Sequence, residues 1–525
     1  MLSIFYEIIC GAPFGGLRHS PKRIRMANLL SVRYPNHWKP SAISPSMSNS
    51  WRNLRKLSAI FRMISFYTIM QTNRATLLAT LLLSLSLFSL SCSEEQGDQK
   101  ESAANKIPEA PKQEEQTDSR GNEEEQVHQL PSPESEAPLR LRPHTIRLTE
   151  ASHLVKEKEF TLNVPEGFEI AVASEGLKRV RFMAMSPDNR LFATDMYDLS
   201  DNRKGKVYIF EDFNVATRRF NKRTTYLDGL RNPNNVAFHV DPDGQVWLYT
   251  AVTDALLRYR YTNGDTQPEG APDTLTTFPD YGKSYREGGW HLTRTVAFGD
   301  NGKLYVSVGS SCNVCEEKEE VRAAILEMNT DGSDLKIYAR GLRNAVGLRW
   351  AEGFLWGTNM GADHLGLDKP EDNFDRITSG ANFGWPYTYQ YQNKIYADPV
   401  YGSEQNALSP DKADTAWAGF LAHSSPLGFD WFGGATDKSL NNTFLVALHG
   451  SGNVAMKRGY SIVRVGNNKV LGDFVNGFLK DGKRYGRPCD ILRVGENNFF
   501  FTDDHAGVIY FVYRDGAIRE ELRDV

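Results

Sequence analysis

Only five cysteines, Cys10, Cys92, Cys312, Cys315 and Cys489, are spread over the 525 residues, too few for a disulfide scaffold. A basic excess is missing too: 61 Lys and Arg face 65 Asp and Glu, a formal net charge of −4. With no surplus of cations to collect phosphates, nucleic acid is excluded as the main partner. No long amphipathic helical pattern interrupts the second half of the chain, which argues against a βαβ architecture. The one conspicuous apolar run, Thr76 to Leu90, is short for a bilayer span. What is present in quantity is glycine, at 43 residues, and aromatic side chains, at 11%. That mixture suits many short strands joined by tight turns. The length exceeds one ordinary domain, so several domains or one large repeat domain is expected.

The N-terminal third reads differently from the rest. Residues 71–92 are QTNRATLLATLLLSLSLFSLSC. Arg74 gives a positive start, the apolar run follows, and small Ser91 precedes Cys92, the layout of a bacterial lipoprotein export signal. Ser89 stands where leucine is more usual. The pattern predicts an exported periplasmic or cell-surface lipoprotein of a bacterium, attached to the membrane by a lipid on Cys92. Such a signal belongs near an N-terminus, so translation is expected to begin at Met70, or at Met63, with residues 1–69 lying upstream of the functional protein. From Ser93 the chain is rich in Glu, Gln, Ser, Pro and Lys. Such a segment buries too little apolar surface to offset its ordering entropy. A flexible acidic tether is expected over residues 93–158, and a folded domain over 159–517.

Within that domain one phrase recurs: a turn built on Asp, Asn or Gly, then a short β-rich run. It occurs as SPDNRLFATD from Ser186, DPDGQVWLYTA from Asp241 and GDNGKLYVSVG from Gly299. Weaker copies are AEGFLWGTNMG from Ala351, NNTFLVALHG from Asn441 and GENNFFFTDD from Gly495. Asp-Gly and Asn-Gly are strong hairpin signals, and the residues after them are β-branched or aromatic. Six copies at blade-like spacing predict an all-β, six-bladed β-propeller; two packed β-sandwiches are the competing architecture. The longer gap after the fourth copy is expected to form an extended loop system on one face.

Four places carry candidate chemistry, all on loops or blade edges. They are WHLTRTVAFGDNGKLYVSVG with His291, ARGLRNAVGLRW with Arg343 and Asn344, NMGADHLG followed by SGANFGWP, and the C-terminal KRGYSIVRV with GRPCDI and FTDDHAGVIYFV. In this order the phrases resemble the soluble quinoprotein glucose dehydrogenase and sorbosone dehydrogenase family, over roughly residues 160–515. The phrase VGSSCNVCEE is more similar to the sorbosone branch.

The resemblance implies a sugar, sugar aldehyde or related alcohol as substrate, with pyrroloquinoline quinone (PQQ) and calcium as cofactors. It implies His291 as general base, and Arg343, Asn344, Arg487 and Lys457 as cofactor contacts. Guanidinium groups suit the three carboxylates of the quinone. Calcium would be held at Gly361, Ala362 and Asp363, by hard oxygen donors. His423, His449 and His505 read as structural histidines. Two departures from the glucose branch stand out: Trp290 replaces an acidic sugar contact, and Ser310 replaces an acidic residue that orients the histidine. Both argue against glucose as the preferred substrate. Cys312 and Cys315 lack the following His of a haem c site and a second ligand pair for zinc, so a local disulfide is expected. No cytochrome domain is attached, so electrons would leave to a separate acceptor, a cytochrome or the quinone pool. A calcium-dependent lactonase-type hydrolase and a non-catalytic carbohydrate- or protein-binding propeller are the alternatives.

Overall fold

A computed structural model of the chain describes residues 129–280 and 291–514. The export signal with Cys92, the first part of the expected tether and Trp290 lie outside the described residues.

The recurring phrase turns out to be the first hairpin of each blade. In the second blade Gly244 N–H donates to the Asp241 carbonyl at 2.8 Å, with Gly244 at a φ of 88° that only glycine adopts without strain. The strand Val246–Ala251 follows and pairs with Asn235–Val240. The corresponding strands in the other blades are Leu191–Asp195, Lys303–Val308, Phe354–Asn359, Phe444–Leu448 and Phe499–Asp503. Each lies second in a four-stranded antiparallel sheet, and six such sheets form the propeller.

The innermost strands are Val180–Met185, Asn235–Val240, Arg294–Phe298, Ala345–Ala351, Pro426–Trp431 and Pro488–Arg493. Each packs against its neighbours in that order and the last returns to the first, closing a ring. Between blades the cores are aliphatic and aromatic; Tyr249 of the second blade meets Phe298 of the third with ring centroids 4.9 Å apart. Burying each such side chain contributes about 1.5–3 kcal/mol. The sixth blade takes its outermost strand, Phe168–Ser174, from the start of the domain, with Ile170 opposite Val512. That pairing covers an edge that would otherwise be open and ties the two ends of the domain together.

Ordered structure begins earlier than composition suggested. Leu141–Arg147 pairs antiparallel with Glu159–Pro165, inside the segment expected to be tether. Ile146, Leu148 and Val155 are buried in the same cluster as Phe160 and Leu162. Upstream, the buried Arg464 guanidinium donates to the carbonyls of Ser135 (3.0 Å) and Ala137 (2.7 Å). The acidic composition of the whole segment concealed the apolar positions in LRPHTIRL. In the fourth blade, a long insertion between Asp372–Ile377 and Ala418–Phe420 carries a hairpin, Thr388–Tyr391 with Lys394–Ala397.

Candidate functional site

In an antiparallel blade the start of the first strand and the end of the second lie at the same end. Arg294 pairs with Val308, Ala345 with Asn359 and Pro488 with Asp503, so the residues just outside these pairs share one face of the propeller. There a cleft of about 610 Å³ brings together His291, Arg343, Asn344, Gly361, Asp363 and Arg487, residues far apart in sequence.

His291 sits at a φ of 50°, in the left-handed region that a non-glycine residue enters only when its surroundings hold it there. Its carbonyl accepts from the buried Arg294 at 2.5 Å, and its Nδ1 lies 3.1 Å from the Ser310 carbonyl oxygen. A carbonyl can only accept, so Nδ1 carries the proton and the neutral ring has its lone pair on Nε2. Burial, with the charges of Arg343, Arg294 and Arg322 nearby, holds the imidazole well below its ordinary value and therefore neutral. Gly309 is required beside it: a Cβ there would come within 2.6 Å of the His291 Cβ and 2.7 Å of the Asn344 Oδ1.

The buried Arg343 guanidinium lies along the wall. Its Nε and Nη2 each donate over 2.8 Å to Asn313, to the backbone and side-chain oxygens respectively, and Nη2 is 3.5 Å from Asp363. Across the cleft, Arg487 Nε donates to the His449 carbonyl at 2.9 Å, and its Nη2 donates to the Gly450 carbonyl. Among the described residues no carboxylate forms an ion pair with Arg487. Burial, against the opposing pull of Asp504, pushes its guanidinium down to about 10.

Asp504, fully buried, organises the floor. It accepts from Arg179 (2.7 Å), Arg181 (3.0 Å) and His449 Nε2 (2.6 Å). Burial opposes its charge, but His449 and the two arginines prevail and hold the carboxyl well below the usual range. His449 itself is pushed down to about 3 by burial and Arg487.

Residues 162–476, well over half of the chain, match the family model described as TrAA12-like. The chain belongs to the TrAA12-like family. Among solved structures, the fold is similar to a calcium structure of the Trichoderma reesei carbohydrate-active enzyme of family AA12, with TM-score 0.53 and 18% identity over 67% of this chain and 96% of that one. It is also similar to the holo form of the pyranose dehydrogenase PQQ domain from Coprinopsis cinerea, with TM-score 0.55 and 17% identity over 68% of this chain and 97% of that one. At these identities the likeness concerns the fold. An uncharacterized protein of Borreliella burgdorferi shares 32% identity over 225 residues, 41% of this chain. That match spans 58% of the relative's length.

In this TrAA12-like protein two expected contacts fall elsewhere. Lys457 ends a short helical turn with φ 51° and lines a separate concavity beside Tyr460 and Ser461. His449, at the end of its strand, occupies the cleft instead, because the turn after Val454–Met456 carries the lysine away. Ala362 is buried and lies behind the cleft wall, while Gly361 and Asp363 line it. Ala362 caps the short helical turn Asp363–Leu365, so its carbonyl accepts the first bond of that turn, while Gly361 lines the cleft with its backbone and Asp363 offers an exposed carboxylate 3.2 Å from His423. These are hard oxygen donors of the kind calcium takes. Beneath them Asp372 accepts from Gly361 N–H at 2.8 Å and from Ser425 N–H at 2.7 Å, and burial pushes its carboxyl up to about 6.

Sequence reading did not single out Asp372, Asp504, Arg294, Arg322, Gly309 or Asn313. For Asp504 the signal was the rare adjacent pair of acids in FTDDHAG, read only as a family marker. Cys312 and Cys315 form a disulfide, and Ser310 contacts His291.

Proposed function

We propose that this protein oxidises a sugar, sugar aldehyde or related alcohol with PQQ and calcium as cofactors. The observation that carries the reading is the meeting of two guanidinium groups, the buried Arg343 and the partly buried Arg487, with a neutral imidazole in one cleft. A partly buried cation that makes no ion pair among the described residues, as at Arg487, fits an anionic ligand, and PQQ brings three carboxylates. The fold likeness to the pyranose dehydrogenase PQQ domain supports this reading. The calcium structure of the Trichoderma enzyme, and the oxygen donors of Gly361 and Asp363 in the cleft, support a calcium ion beside the quinone.

When bound, the quinone supplies the hydride acceptor. The chain's own residues do the rest. Arg343 and Arg487 would hold carboxylates, Asn344 the ring oxygens, and Gly361 and Asp363 the metal. His291 Nε2 would take the hydroxyl proton of the substrate, with Nδ1–H fixed on Ser310. Burial, with positive charge from Arg343, Arg294 and Arg322, opposes protonation of the ring and so keeps it ready to accept. Electrons leave to a separate acceptor, a cytochrome or the quinone pool. The protein works as a periplasmic or surface lipoprotein anchored through Cys92.

Within the family the sorbosone-type branch fits best, since Trp290 and Ser310 stand where the glucose branch has acids. Loss of a buried polar sugar contact can cost roughly 10⁴-fold in specificity. The test is a panel on the PQQ- and calcium-loaded protein with an artificial electron acceptor. Open-chain and keto-aldehyde sugars are expected to rank above glucose. Glucose ranking first would overturn the substrate assignment, and lactone hydrolysis without the quinone would overturn the reaction class.

A further inference from the structure

We propose that Asn313, inside the loop closed by the Cys312–Cys315 disulfide, is a positioning residue for Arg343 and Asp363, and that the redox state of this loop sets whether the site is assembled. In its bearing on quinone binding, this rests on the function proposed above.

The geometry is specific. One edge of the Arg343 guanidinium docks on a single residue: Nε on the Asn313 carbonyl and Nη2 on Asn313 Oδ1, both at 2.8 Å. Two parallel bonds fix the plane of the group, where one bond would leave it free to turn. The same Oδ1 accepts from the Asp363 backbone N–H at 2.9 Å. One amide oxygen of the third blade therefore ties together two segments of the fourth, the anion-binding arginine and the metal loop. The other end of the loop reaches the base. Ser310 Oγ donates to the Cys312 carbonyl at 2.7 Å, which leaves the Ser310 Oγ lone pairs able to accept from His291 Nδ1 at 2.9 Å. Tyr401 O–H donates to the Val314 carbonyl at 3.3 Å, anchoring the loop to the blade-four insertion.

All of these contacts run through Ser310 and three residues of a loop whose ends are joined three positions apart. Without the bond, a four-residue stretch of intermediate exposure would have to hold these carbonyls in place by hydrogen bonds alone. Reduction by a dithiol opens it: two electrons and two protons convert the disulfide to two thiols, and the dithiol becomes a cyclic disulfide. Arg343, Asp363 and the His291 tautomer then lose a common support at once.

The test compares wild type, Asn313→Ala, Asn313→Asp and Cys312→Ser/Cys315→Ser, and wild type before and after dithiothreitol. PQQ affinity of the apoprotein with calcium is read by fluorescence quenching, and the His291 tautomer by ¹⁵N NMR of the apoprotein. Asn313→Ala is expected to weaken quinone binding about tenfold, the usual effect of a lost hydrogen bond to a charged group. Asn313→Asp keeps the acceptor and should restore most of it. The double serine variant and the reduced protein should show a larger loss and a mixed tautomer, reversed on reoxidation. Unchanged affinity in Asn313→Ala, or an unchanged tautomer in the folded serine variant, overturns the inference. If wild type itself binds no PQQ, the proposed function fails, and the tautomer measurement still decides whether the disulfide loop positions His291.

Discussion

His291 and Ser310 meet through Nδ1 at 2.9 Å from the serine hydroxyl and 3.1 Å from its carbonyl. The contact holds one tautomer through neutral oxygens, and its upward pull on the basicity of the ring is outweighed. Burial and the surrounding arginines instead keep it neutral.

A pH signature follows. The folded His291 value lies below the unfolded one, near ~6.5. Its neutral form therefore contributes stability that is fully present above pH ~6.5 and is lost as pH falls below it. Compared with His291→Gln in urea titrations, wild type should lose stability between pH 7.5 and pH 5. An acid-independent difference would mean that the ring is not buried neutral.

Asp504 is expected to be the least replaceable polar side chain beneath the cleft. Asp504→Asn leaves Arg179 and Arg181 buried beside a neutral amide. Breaking a buried ion pair by removing one partner costs about 3–5 kcal/mol. Urea unfolding should show a loss of that size, whereas a loss under about 1 kcal/mol, the range of surface pairs, would show the network to be solvated.

Metal and anion contacts should be coupled. Chelation of calcium is expected to abolish PQQ binding, and calcium should restore it. Arg487→Ala should weaken binding by about ten- to a hundredfold, as for other charge-assisted bonds. Retained affinity after exhaustive chelation would count against a calcium at Gly361–Asp363.

Turn chemistry made the blades legible. DPDGQ and GDNGK carry their hairpin signals locally, and a turn-then-strand phrase of this kind recurs once per blade, so the propeller follows from local sequence. The motif-bearing loops were legible for the same reason: His291, Arg343, Asn344 and Arg487 all flank a first strand. Lys457 was misplaced because a turn of the chain, not strand register, decides where it points. Asp504 and Asn313 were missed since their partners come from Arg179, His449, Arg343 and Asp363, far away in sequence. Leu141–Arg147 was hidden because its partner strand, Glu159–Pro165, is what makes it a strand.

The proposed anchoring through Cys92 is tested in a host that processes lipoproteins. Wild type should fractionate with membranes, and Cys92→Ala should be released or remain unprocessed. Protein found in the cytosol with Met1 retained would contradict the export reading.

The most direct measurement is single-turnover reduction. Apoprotein with calcium is titrated with PQQ, mixed rapidly with a sugar that wild type oxidises, and the absorbance of the bound quinone is followed for wild type and His291→Gln. Both proteins should bind one quinone with similar affinity, and the variant should reduce it about 10²–10⁴-fold more slowly, the usual loss of a general base. Equal reduction rates in the two proteins would contradict His291 as the base, and absence of saturable quinone binding in wild type would contradict the account as a whole.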